Sequence, residues 1–114
     1  MGIDEEDEIY CRIWTKESGP LYLTRDQWLE IEDSELHRED GPAEEYVDGD
    51  MFWFQNGELH RIDGPAVIYN SGLNKEWWIY GQWFNKEKIE EWLKDNDIDL
   101  STEEGQMALI LRWV

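Results

Sequence analysis

Basic residues and cysteine are both scarce in this chain of 114 residues. Ten Lys and Arg stand against 28 Asp and Glu, which gives a formal net charge of −18 at pH 7. Direct binding to nucleic acid or to an anionic membrane requires clustered Lys and Arg, so this balance argues against both. It favours a basic partner, or solubility alone. The single cysteine, Cys11, excludes an intramolecular disulfide and is compatible with a reducing compartment.

Long apolar runs are missing as well. No stretch approaches the ~18 residues of a membrane-spanning helix. The first eight residues, Met-Gly-Ile-Asp-Glu-Glu-Asp-Glu, are the opposite of a signal peptide. We therefore expect a soluble, cytoplasmic protein. The apolar content of 40%, with eight Trp, five Tyr and three Phe, is sufficient for the core of a single domain.

Proline is the third scarce residue, and its positions reveal a repeat. Pro20, Pro42 and Pro65 each follow a glycine, at spacings of 22 and 23 residues. The last two belong to an octapeptide, Leu-His-Arg-x-Asp-Gly-Pro-Ala, which occurs at residues 36–43 and 59–66 with seven of eight positions identical. The segment around Pro20 indicates a degenerate first copy, and three copies are the number at which stacked repeats begin to share a continuous core.

Each copy has the pattern of a β-hairpin. Asp-Gly before Pro is turn chemistry, because Gly tolerates positive φ and Pro fixes its own φ. A short strand follows at 43–47 or 66–69, and an aromatic return strand at 51–55 or 75–80. Asn56-Gly57 predicts a tight turn after the first return strand. The predicted fold is mostly β (α+β): stacked antiparallel β-hairpin repeats forming a twisted sheet, capped by C-terminal helices.

The boundaries of this predicted domain follow from composition. Residues 1–8 form an acidic arm, residues 9–84 the three hairpin repeats and residues 85–114 the helical cap. Alternation at 9–14 predicts a strand that turns Ile9, Cys11 and Ile13 to one face.

Two segments permit both a helix and a strand. At 22–31, Thr24-x-x-Gln27 could cap a helix with Trp28 and Ile31 on one face, but the repeat favours a return strand, which we prefer. Asn85 is expected to open a helix that ends near Asp95. Ser101-x-x-Glu104 predicts a second helix through 107–113, where a short apolar strand is the alternative.

The pattern Trp-x-x-x-Gly-x-Leu-His-Arg-x-Asp-Gly-Pro-Ala, carried by Trp53, Gly57 and residues 59–66, resembles a family of phage-type hairpin-repeat proteins, loosely similar to MORN repeats. The resemblance covers roughly residues 14–84 and departs from the family pattern after Gly81, where no third Leu-His-Arg follows. It implies a scaffold of stacked hairpins and an origin in a phage or other mobile element. It implies no activity, because such repeats are scaffolds.

The histidines and the cysteine are the candidates for chemistry. His-x-x-Asp could pair a base with its orienting carboxylate or hold a metal, but it recurs in both copies, as a structural unit demands. We predict structural roles for the repeat residues and no catalytic, cofactor or metal site. A buried, inert thiol is expected for Cys11, and the aromatics are expected in the core. The predicted structural residues are His37, Arg38, Asp40, Gly41, Pro42, His60, Arg61, Asp63, Gly64 and Pro65.

Acidic residues are concentrated in the first half of the chain. Residues 1–50 hold 17 acids and 4 bases, against 11 acids and 6 bases in residues 51–114. Alternate strand residues lie about 6.6–7 Å apart on one face, comparable to the spacing of phosphates along a DNA strand. The predicted partner-binding surface comprises Glu30, Glu32, Asp33, Glu35, Glu39, Glu44, Glu45, Asp48 and Asp50.

These features predict a non-catalytic acidic inhibitor, encoded by a phage, that mimics nucleic acid. Its partner would be a basic, nucleic-acid-binding host protein such as a restriction or CRISPR effector, with no direct binding to nucleic acid or membrane. The alternative is an assembly module that uses the hairpin stack for protein–protein contacts or homodimerisation. An enzyme is a distant third interpretation.

Overall fold

A computed structural model of the chain describes residues 8–70 and 72–114, so most of the predicted acidic arm lies outside the described residues. Nine strands and three helices follow one another along these residues. Their bounds are β1 Ile9–Ile13, β2 Leu21–Thr24, α1 Arg25–Trp28, β3 Glu44–Tyr46, β4 Met51–Phe52, β5 Phe54–Gln55, β6 Glu58–Leu59, β7 Val67–Ile68, β8 Lys75–Ile79, β9 Gln82–Phe84, α2 Lys86–Asp95 and α3 Glu103–Trp113, with a 3₁₀ turn at Asp33–Glu35.

Seven strands form one antiparallel sheet in the order β2-β1-β3-β4-β7-β8-β9, and β5 pairs with β6 as a separate hairpin. The mostly-β fold with C-terminal helices and hairpins β3–β4 and β7–β8 is therefore confirmed. The molecule is elongated, with extents of 58 × 29 × 20 Å.

The register divides the side chains of the central strands between two faces. On the face that meets the core, the successive cross-strand partners are Ile13, Glu44, Phe52 and Val67. The next residue in each direction points the opposite way, because side chains alternate along a strand. This second row begins with the pair of Arg12 and Glu45. A one-residue difference in position therefore decides whether an acidic side chain is buried.

The tight turn predicted at Asn56-Gly57 is confirmed. Both residues have positive φ, 52° and 78°, as a type I′ turn requires, and the turn joins β5 to β6. Tyr80 and Gly81 have almost the same angles, 50° and 77°, between β8 and β9. Tyrosine is no turn former, so this second turn follows from its place in the repeat rather than from its own propensity.

The strand prediction for 22–31 is wrong from Arg25 onward. Thr24 and Gln27 form a full capping box, and a single turn of helix, α1, follows. Trp28 and Ile31, three residues apart, both pack against the first core cluster. The helical alternative prevails because these two apolar side chains must reach the same side.

The first repeat consequently differs from its expected form. The strand after Pro20 pairs with β1, which precedes it, instead of with a return strand. The aromatic position of the first unit is filled by Trp14: its amide donates to the carbonyl of Ala43, as that of Trp53 does to Ala66, each at 2.8 Å. The degenerate copy predicted around Pro20 is therefore a hairpin of another build.

The C-terminal helices are confirmed, including the helix through 107–113. Asn85 caps α2 by accepting from the amide of Lys88 at 3.0 Å. The predicted cap of α3 is wrong by one residue, since Thr102 accepts from the amide of Gly105. The hydroxyl and the amide of Ser101 instead both donate to Asp99, at 2.6 Å and 2.9 Å.

Two core clusters lie along the sheet. The first surrounds Cys11, Ile13, Leu36, Ala43 and Phe54. In the second, Ile89 of α2 and Leu109 of α3 pack with Trp77, Ile79 and Phe84 of the last two strands. The helices therefore cover the β8–β9 end of the sheet, as a cap would.

Candidate functional site

The arginine of each repeat lies between a tryptophan and a loop. The guanidinium carbon of Arg38 is 3.9 Å from the centroid of the Trp14 ring. Its Nε donates to Asp40 at 3.0 Å, and its Nη1 donates to the carbonyl oxygen of Pro42 at 3.1 Å. One side chain thus fixes the shape of the Asp-Gly-Pro loop and attaches it to the aromatic strand.

The second copy repeats this construction. Arg61 lies 4.0 Å from the centroid of Trp53 and donates to Asp63 at 2.7 Å and to the carbonyl of Pro65 at 3.0 Å. The structural role predicted for these repeat residues matches their contacts. Trp14 could not be found from the sequence, because 21 residues separate it from the octapeptide that it supports.

The glycine of each loop is required for space rather than for its backbone angles. Gly41 and Gly64 are absent from the positive-φ residues, so our expectation of a positive φ there is wrong. A Cβ at either position would lie 2.8 Å from the guanidinium carbon of Arg38 or Arg61. Glycine is needed because the arginine occupies the place of a side chain.

The histidines fix the turns that follow them. His37 Nδ1 accepts from the amide of Asn56 at 2.9 Å, and His60 Nδ1 accepts from the amide of Tyr80 at 2.8 Å. In both copies the Asp binds the Arg instead of the His, so the His-x-x-Asp base-and-carboxylate arrangement does not form. These contacts agree with the structural role predicted for both histidines.

The two histidines differ in their surroundings. His37 Nε2 is 3.7 Å from a carboxylate oxygen of Glu39. His60 is only 6% exposed and its ring stacks on that of Tyr80, with centroids 4.2 Å apart. Burial lowers the pKa of His60, and the nearby carboxylate of Glu58 opposes this only in part. The imidazole of His60 is therefore neutral at pH 7.

A cleft separates the two repeat loops, and we call it the inter-loop cleft. It has a volume of about 680 Å³, and its lining residues include Glu39, Asp40, His60, Arg61, Tyr80 and Gln106. The first two belong to the first loop, and Gln106 comes from α3. Sequence analysis missed Tyr80 and Gln106, because neither belongs to the octapeptide.

The predicted acidic surface is only partly on the surface. Glu44 is 6% exposed and lies between Ile13 and Phe52 in the sheet, so its assignment to an exposed surface is wrong. Glu45 is bound to Arg12 at 2.6 Å and to Arg38 at 3.4 Å. Asp50 is half-buried and accepts from the amide of Asn70 at 2.8 Å. The predicted members that are exposed are Glu30, Glu32, Asp33, Glu35, Glu39 and Asp48.

These six exposed acids lie outside the strands, on the segment that follows α1, on the 3₁₀ turn and on two loops. The prediction of a row of acids along the strands is therefore wrong. The physical reason is the register: Ala43 and Glu44 follow Pro42 into the sheet with Glu44 pointing to the core, and Glu45 on the other face meets Arg12.

Burial also shapes the chemistry around Glu44. The pKa of this carboxyl is raised mainly by burial and also by the charge of Asp33, while Tyr46 and Trp28 act in the opposite direction. Burial and the charge of Glu44 raise the pKa of the Cys11 thiol to about 11. Cys11 is 1% exposed, so its predicted burial is confirmed, and the inertness of its thiol stays a prediction.

The expectation that the aromatics lie in the core holds only in part: Phe54, Trp77 and Phe84 are buried, and ten more of the 16 are partly buried. Tyr10, Tyr46, Phe52 and Tyr69 form a series of edge-to-face ring contacts across the sheet, with successive centroids 5.5–6.1 Å apart. A smaller group is exposed, and it comprises Tyr22, Tyr80 and Trp83.

Within residues 8–70 and 72–114, no group of three or more His, Cys, Asp or Glu side chains is placed to hold a metal ion. No helix in this part of the chain is long and apolar enough to cross a membrane. Comparison with protein-family models finds no match. Comparison with curated proteins finds none at the significance required, and comparison with solved structures gives the same result. The resemblance to phage-type hairpin repeats stays a prediction.

Proposed function

We propose that this chain is a non-catalytic binding protein of phage type that acts in the cytoplasm. It engages the basic surface of a nucleic-acid-handling host protein, such as a restriction or CRISPR effector, and competes with nucleic acid for that surface. The proposal is supported chiefly by one observation, the uncompensated negative charge of residues 26–50.

Residues 26–50 contain 11 acidic residues and one basic residue, Arg38. Arg38 is already paired with Asp40 and Glu45. Arg12, the other nearby arginine, is bound to Glu45 as well. The exposed carboxylates of Glu30 and Glu35 form no ion pair within the described residues, so their field reaches a partner without internal neutralisation.

Charge of this kind acts mainly on the rate and the specificity of association. An acidic patch steers a basic groove towards it, and the attraction decays over about 10 Å at 0.1 M salt. The exposed acids lie on loops and turns, and four of them, Glu30, Glu32, Asp33 and Glu35, fall within six consecutive residues, which we call the acidic patch. Nucleic-acid mimicry in this protein would therefore rest on charge density in this short segment, not on a linear array along a strand.

The test is displacement of labelled duplex DNA from purified restriction endonucleases and CRISPR effectors, followed by fluorescence anisotropy at about 50 mM and about 300 mM salt. We expect displacement from at least one enzyme, weaker at the higher salt. The proposal is contradicted if none of the tested enzymes releases its DNA, or if the displacement does not weaken at the higher salt concentration.

A charge-matched pair of variants locates the surface. Glu30→Gln, Asp33→Asn and Glu35→Gln together remove three charges from the acidic patch. The control variant removes three exposed charges from the helices by Glu91→Gln, Asp95→Asn and Glu104→Gln. We expect the first variant to lose most of its DNA displacement and the second to retain it. Equal losses would mean that net charge alone acts.

A second candidate function, self-association, is supported by the open edge of the sheet. β2 is the outermost strand, and Leu21 and Tyr22 on it are exposed. Within the described residues no strand pairs with its outer side, and open edges are sites of strand pairing. Sedimentation velocity over a range of concentrations tests this, and a monomer throughout would contradict it.

A further inference from the structure

The second histidine of the repeat carries a hydrogen-bond donor without an acceptor. Because His60 Nδ1 accepts from the amide of Tyr80, the proton of the neutral ring is on Nε2. This Nε2–H makes no hydrogen bond within the described residues, and it meets solvent in the inter-loop cleft that the largely buried ring lines. A ligand that enters the cleft can therefore replace solvent at this donor with an acceptor of its own.

A difference between the copies explains why this donor is free. Position 39 of the first copy is a glutamate, whose carboxylate lies 3.7 Å from His37 Nε2. The equivalent position of the second copy is Ile62, which packs against the second core cluster and has no acceptor. The octapeptide is otherwise identical, so the one variable residue decides whether a carboxylate lies near this histidine.

The cleft also has an acidic rim. Glu39 and Asp40 line it with side chains that are 82% and 86% exposed. Asp40 is already paired with Arg38, and Arg61 in the same cleft is paired with Asp63, whereas no Lys or Arg of the described residues pairs with Glu39. The cleft therefore combines a neutral donor with the available carboxylate of Glu39, beside the exposed ring of Tyr80.

We propose that the inter-loop cleft binds a short, extended basic segment of the partner protein. A main-chain carbonyl of the segment accepts from His60 Nε2–H, and a Lys or Arg side chain pairs with Glu39. This inference rests on the proposed function, since it names the part of a basic partner that the protein recognises. The volume of about 680 Å³ accommodates a few residues of an extended peptide.

The first measurement uses two blocked peptides on the full-length protein. Acetyl-Gly-Arg-Gly-Arg-Gly-amide is the basic probe, and the same peptide with Gln in place of Arg is the uncharged control. Nitrogen-15 NMR of the histidine side chains follows Nε2 of His60. We expect its resonance to shift with the basic peptide and much less with the control. An unchanged resonance at saturation, or equal binding of both peptides, would overturn the proposal.

Variants then separate the two halves of the site. Ile62→Gln introduces a potential acceptor at the position where the first copy has Glu39, without adding charge, and Ile62→Leu is its apolar control. We expect Ile62→Gln to weaken binding of the basic peptide about three- to tenfold relative to Ile62→Leu. Thermal denaturation establishes that both variants fold. Equal affinity of the two folded variants contradicts a role for His60.

The carboxylates are tested by a charge-matched comparison. Glu39→Gln removes a charge from the rim of the cleft, and Glu30→Gln removes one from the acidic patch outside it. We expect Glu39→Gln to weaken peptide binding about two- to fivefold more than Glu30→Gln. Equal effects would show that the peptide responds to net charge and not to the cleft.

Failure of this inference can be told from failure of the proposed function. If DNA displacement persists while the peptides leave His60 unchanged, the cleft is not the recognition site and the binding function stands. If His60 responds to the basic peptide but no enzyme releases its DNA, the cleft binds basic segments and nucleic-acid mimicry is wrong.

Discussion

Replacing Gly64 with alanine should destabilise the protein by displacing an arginine. The new Cβ would lie 2.8 Å from the guanidinium carbon of Arg61, which is closer than Cβ atoms in proteins approach another heavy atom. The guanidinium cannot retreat towards Trp53, whose ring centroid is already 4.0 Å away. Arg61 must therefore leave the loop sideways and lose its contacts.

The cost follows from the contacts that Arg61 makes. Its hydrogen bond to the carbonyl of Pro65, as a bond from a charged donor, contributes about 1.5–3 kcal/mol. Stacking on Trp53 contributes about 0.5–1 kcal/mol, and the half-exposed pair with Asp63 at most about 1 kcal/mol. We expect Gly64→Ala to lower the free energy of unfolding by about 2–4 kcal/mol. At about 4 °C per kcal/mol, Tm should fall by about 8–16 °C.

A double-mutant cycle identifies the cause. Since Gly64 does not have a positive φ, alanine is compatible with its backbone. With Arg61→Ala as the background, the collision is absent, and Gly64→Ala should be neutral or stabilising by about 0.4–1 kcal/mol, because alanine restricts the unfolded chain. Urea denaturation followed by tryptophan fluorescence measures all four proteins.

The refuting result is a cost of Gly64→Ala that is the same with and without Arg61. That outcome would place the strain in the loop backbone and not in the arginine. The first copy supplies an internal duplicate: Gly41→Ala meets Arg38 at the same 2.8 Å and should behave in the same way.

Four further predictions concern three buried groups. His60→Ala should destabilise the fold by about 2–3 kcal/mol in urea denaturation, more than His37→Ala, because it removes a buried ring and the acceptor of an amide; equal effects would contradict this. Burial lowers the pKa of His60 below its unfolded value of 6.5, so the unfolded state binds more protons. The contribution of His60 to stability should therefore be complete above about pH 6.5 and decline as the pH falls below that. Denaturation at a series of pH values should show this decline in the unmodified protein and not in His60→Ala, and a decline that is missing, or that His60→Ala leaves unchanged, would contradict the shift. Burial raises the folded pKa of Glu44 above 4.5, so the stability that this group contributes at low pH is lost as the pH rises through the folded pKa. Glu44→Gln should flatten this pH dependence of stability, and an unchanged pH profile would contradict the shift. Cys11, with a pKa of about 11, should resist a thiol reagent at pH 8 in the native protein and react at once in denaturant, and rapid native labelling would refute its burial.

The division of labour between scaffold and binding surface follows from the repeat. The octapeptide residues that both copies share contact one another, through Arg, Asp and Pro in the loop, or hold the next turn, through His. The groups left free are those that differ between the copies or lie outside them. Glu39, opposite Ile62, and the acids of the 30–35 segment are examples.

Much of the architecture follows from local chemistry that the sequence displays. The duplicated octapeptide, the Asn56-Gly57 turn and the Asn85 cap each depend on residues close together in the chain, and each is found where it is predicted. The capping box of Thr24 and Gln27 is equally local. The strand that the repeat pattern predicts here does not form, because the repeat does not extend to this segment.

Other features depend on residues that are distant in the chain, and only the tertiary structure decides them. Trp14 supports Arg38 across an insertion that no spacing rule predicts. Glu44 is buried, whereas Glu45 pairs with Arg12 on the other face, because strand register and not composition selects the face of each side chain. The free donor of His60 likewise requires the turn at Tyr80 from the next hairpin and the absence of a carboxylate at Ile62. Charge and repeats are properties of the chain itself, whereas which charges are free to bind is a property of its packing.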